Sequence, residues 1–145
     1  MSDAYEKVKD PAWVAEMMTL CRDTRRELES ALHKLDSAKN WGIWDILGGG
    51  FLSTMIKHHR IDAAKAHIEA TRGMLFRLRR ELDHANLGNI METGPSGFAS
   101  FADHLFDGFF ADLYVQGKIK ALRTDVEGVL RGLDRVERFL TNGGR

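Results

Sequence analysis

The sequence predicts an all-α protein, an antiparallel coiled-coil-like bundle of three long helices at about residues 11–39, 51–87 and 98–140. Three observations predict it. Apolar residues recur at alternating three- and four-residue spacings through all three segments. Only two prolines occur in 145 residues, so long helices can run uninterrupted. Clusters of Gly, Asn, Pro and Ser punctuate the gaps between segments. One domain is expected, with residues 1–10 as a flexible N-terminus, and a chain of this length buries roughly 70% of its unfolded surface.

Asp10-Pro11 announces the first helix, an N-cap acceptor followed by proline at the first helical position. From there Val14, Cys21, Leu28 and Leu35 alternate with Met17, Thr24, Ala31 and Ala38 along one seam. Met18 and Leu32 widen that stripe.

The second helix carries the most regular seam. Ile61, Leu75 and Leu82 alternate with Ala64, Thr71, Leu78 and Ala85, and Ile68 completes the line. Ala63, Ala66, Ala70 and Gly73 give it a second side of small residues, close to which another helix could lie. Asn86-Leu87-Gly88-Asn89 is a helix-ending cluster.

The third helix is expected to be the longest. Its seam runs through Leu105, Gly108, Asp112, Val115 and Ile119 to Leu122, Val126, Val129, Leu133, Val136 and Leu140, and Asn142-Gly143-Gly144 ends it. Gly108 and Gly117 mark positions for a kink or break, and Gly128 falls on an outer position. Connectors of about eleven residues predict an up-down-up order, with residues 40–54 near the C-terminal end of helix three. This register also brings Cys21, Thr24, Thr71 and Asp112 to one level as a polar layer.

Composition excludes several function classes. Hydrophobic residues make up 43% and charged residues 29%, ordinary for a globular helical protein. Basic and acidic residues balance at 21 each, so no overall field draws the chain to nucleic acid or anionic lipid. The basic cluster Arg72, Arg77, Arg79 and Arg80 reads as a solvated face paired with acids, Asp103, Asp107 and Asp112 among the candidates. A single cysteine, Cys21, excludes an internal disulfide and fits a reducing cytoplasm. The opening MSDAYEKVKD is unlike a signal peptide, and no apolar run approaches the ~18 residues of a transmembrane helix.

The segment NWGIWDILGGGFLST, residues 40–54, breaks the helical periodicity with two tryptophans and three consecutive glycines. Asp45 is expected to accept backbone N–H bonds in the turn. Gly48, Gly49 and Gly50 permit close backbone approach, making the stretch a structural lock. They lack the Lys-Ser/Thr of a phosphate loop and the spacing of a dinucleotide fingerprint. NWGIWDILGGG, KHHRIDAAKAHI and FADHLFDGFFADLYVQGKI together resemble a pattern in uncharacterised bacterial all-helical proteins. It joins Trp-Asp and three glycines to a later Phe-Asp segment ending in Val-Gln and Ile. The resemblance covers about residues 40–119 and implies that these stretches work together, without an activity attached.

No catalytic residue, metal site or cofactor site is assigned. His58 and Asp62 lie one helical turn apart but lack a nearby third ligand, and Lys57, His58 and Asp62 read as a polar cluster against the loop. Cys21 belongs to the seam, and Ser96 lacks the context of a nucleophile elbow. The expected function is that of a non-enzymatic structural or adaptor protein, with another protein or a second copy as partner. Trp41, Trp44, Phe51, Phe106, Phe109 and Phe110 are the expected interface, since aromatics anchor interfaces. The alternative is a small-ligand or anion site at Gly48, Gly49 and Gly50 with His58 and Asp62.

Overall fold

The computed structural model describes residues 6–44, 50–91 and 116–144, with the side chains of residues 6–36, 59, 61–88, 90 and 120–144. The described residues are overwhelmingly helical and contain no strand. Helix α1 spans Pro11–Trp44, α2 spans Gly50–His84, a 3₁₀ turn covers Gly88–Met91, and α3 spans Gln116–Thr141. Residues 6–9, inside the segment expected to be flexible, form a turn in which Lys9 N–H donates to the Glu6 carbonyl. Val8 from this turn packs against the core.

The helix ends are set by local chemistry. Asp10 caps α1, its Oδ1 accepting from Ala12 N–H at 3.0 Å and its carbonyl from Val14 N–H at 3.0 Å. Beyond α2, Asn86 adopts φ 60°, with Leu87 N–H donating to the Leu82 carbonyl and Asn86 N–H to Asp83. This is a Schellman closure, and the buried Leu82 and Leu87 supply its apolar contact. Gly143 and Gly144, both at positive φ, close α3 the same way through bonds to Leu140 and Phe139. A side chain at Gly144 would also crowd Val8, whose Cγ2 lies 3.0 Å from where a Cβ would sit.

The seams form the core. Leu28, Ala31 and Leu35 of α1, every predicted seam residue of α2 from Ile61 to Ala85, and Leu122, Val126, Val129, Leu133, Val136 and Leu140 of α3 are buried. On α1 the buried stripe drifts toward Trp13 and Leu20, leaving Val14 only partly buried. A straight helix turns about 20° per heptad away from a strict seven-residue repeat, which accounts for the drift. Each fully buried leucine contributes roughly 1.5–3 kcal/mol relative to exposure.

Helix α1 is the shared member, packing along both α2 and α3. Contacts with α2 fall in antiparallel order: Trp13 with Glu81, Glu16 with Arg77, Glu27 with His67. Contacts with α3 are antiparallel too, Arg25 meeting Asp134 and Glu137 while Asp36 meets Arg123. Helix α3 therefore runs parallel to α2. This corrects the up-down-up order, and it puts the C-terminal end of α1 level with the N-terminal end of α3. Seam periodicity does not encode helix direction, and residues 98–115 of the expected third helix lie outside the described residues. Gly128 is also corrected: it is buried, because α3 buries Asp125, Gly128 and Gly132 beside its seam.

The expected polar layer is present in part. Cys21, Thr24 and Thr71 are fully buried, and the antiparallel order brings Thr24 level with Thr71; Asp112 lies outside the described residues. The two threonines differ. Thr71 Oγ1 donates to the Ile68 carbonyl at 2.7 Å, whereas Thr24 Oγ1 is buried with no partner. Thr24→Val keeps the shape and removes an unsatisfied hydroxyl, so it should raise stability by about 1 kcal/mol. Thr71→Val should be neutral or destabilising. Urea midpoints of the two variants check the contrast.

Candidate interface on the outer face of the second helix

One strip of α2 exposes Asp62, Ala66, Ala70, Gly73, Arg77 and Arg80, the Arg77 side chain reaching back to α1. At 100° per residue these lie on one strip, with Phe76 at its edge. Phe76 is the large apolar side chain left exposed among the described residues, at 36%. A Cβ added at Gly73 would meet nothing within 4 Å, so no contact within the described chain requires glycine there. Glycine in a helix interior costs about 1 kcal/mol relative to alanine.

Ion pairs flank the strip. Arg77 pairs with Glu16 of α1, and within α2 Arg79 pairs with Asp83 at 3.4 Å and Arg72 with Glu69 at 3.8 Å. The basic run is thus a solvated face with acidic neighbours, as the sequence suggested. The acids come from α1 and α2, while the candidates Asp103, Asp107 and Asp112 lie outside the described residues. Such exposed pairs contribute little to stability, typically below about 1 kcal/mol.

Other polar groups serve the fold. His67 Nδ1 lies 2.7 Å from Glu27 Oε2 beside an open groove lined by His33, Lys34 and Arg26. No group of three potential metal ligands occurs among the described residues. Burial, reinforced by the Glu137 carboxylate, pushes the Cys21 thiol up from 9.0 to about 12, against a smaller opposite pull from Arg25. The buried thiol should resist alkylation in the folded protein and react on unfolding, which thiol labelling with and without urea checks. The same shift has a pH consequence. Above pH 9 the unfolded thiol ionises while the folded one stays protonated, so stability falls toward pH 12 by up to about 1.4 kcal/mol per unit. Cys21→Ala should lack that slope.

The residues singled out in the sequence fall unevenly. Trp41 and Trp44 lie in the last turn of α1, and Gly50, Phe51, Lys57 and His58 lie on α2, with their side chains outside the described set. Asp62 is exposed on the α2 strip. Asp45, Gly48, Gly49, Phe106, Phe109 and Phe110 lie outside the described residues. Sequence reasoning found the small-residue side of α2 but missed Phe76, which follows Gly73 by one helical turn and carried the signal. It also missed buried Trp13, whose Nε1 donates to Glu81 Oε2 at 3.2 Å.

No helix among the described residues is long and apolar enough to cross a membrane. Comparison with protein-family models, curated proteins and solved structures finds no match to the chain.

Proposed function

We propose that this chain is a non-enzymatic structural or adaptor protein of the bacterial cytoplasm that acts by helix-mediated association, with a second copy of itself as partner. The observation that supports the reading is Gly73. It sits in open space in the middle of a 35-residue helix, flanked by exposed Ala66, Ala70 and Phe76. Small residues let a second helix approach closely, and a neighbouring aromatic supplies apolar area to bury. The cost of glycine, unrecovered among the described residues, is offset when another helix lies on it. The single buried thiol suits a reducing compartment.

Sedimentation equilibrium across protein concentration tests this. The expected result is an average mass that rises with concentration toward twice that of the chain. A mass that stays at one chain throughout would contradict self-association.

A further inference from the structure

We draw no further inference here: the strongest candidate, the open groove over α1 and α2 lined by Arg26, Glu29, Ser30, His33, Lys34 and His67, carries nothing because Arg26 is already held by Asp23 and His67 by Glu27, and nothing in the structure points to a ligand for it.

Discussion

Leu75→Asp is expected to unfold the protein. Leu75 is 1% exposed and lies on the face of α2 that packs against α1, between Thr71 and Leu78. The substitution removes a buried side chain contributing roughly 1.5–3 kcal/mol. It also leaves a carboxylate without a cationic partner in an apolar seam, at a further cost of several kcal/mol. Domains of this size have total stabilities of only about 5–15 kcal/mol. Circular dichroism should show a large loss of helix at 25 °C, or a transition shifted down by tens of degrees. Thr19→Asp, at an exposed position of α1, should melt close to the parent. If Leu75→Asp does the same, Leu75 is not core.

Arg25→Glu should produce the next largest loss. One nitrogen of Arg25 lies 2.6 Å from both Asp134 Oδ1 and Glu137 Oε1, tying α1 to α3. Burial alone would lower the Arg25 pKa, but hydrogen bonds to Glu137 and Asp134 outweigh it and hold the guanidinium above its usual range. Reversal removes both bonds and gathers three carboxylates. Asp134 is half exposed, so solvent screening limits the penalty to about 2–3 kcal/mol. Adding Glu137→Arg should recover part of the loss, and a double-mutant cycle in urea measures the coupling. Recovery requires α3 to run antiparallel to α1. In an up-down-up bundle these positions would not meet, and the two losses would simply add.

The fold was legible in the sequence because burial writes itself into periodicity. Ile61, Ala64, Ile68, Thr71, Leu75, Leu78, Leu82 and Ala85 were all placed on the core side of α2 from spacing alone, and all are buried. The end of α2 at Asn86 was legible for a related reason, since few residues other than glycine and asparagine accept its positive φ. Helix direction was not legible. A seam is the same read up or down, and only interhelical pairs such as Arg25 with Asp134 distinguish the two. Gly128 misled because a two-position seam assumes one buried face, whereas α3 also buries Asp125 and Gly132.

The candidate site was legible in outline. Ala66, Ala70 and Gly73 stood out as small residues on one side, but spacing could not say whether a helix of the same chain covers them. Exposure and the open space at Gly73 show that none of the described residues does. The aromatic interface expected at Trp41, Trp44, Phe51, Phe106, Phe109 and Phe110 involves side chains outside the described residues.

Light scattering of the parent and Gly73→Leu, at matched concentrations, tests most directly whether the outer face of α2 is an association surface. Among the described residues an added Cβ meets no neighbour, and leucine is a strong helix former, so the variant should fold at least as stably as the parent. Between copies it inserts a bulky side chain where two helices are to meet. The parent's mass should climb toward that of a dimer as concentration rises, while Gly73→Leu stays at the mass of one chain. Equal masses for the two proteins at every concentration would contradict the account.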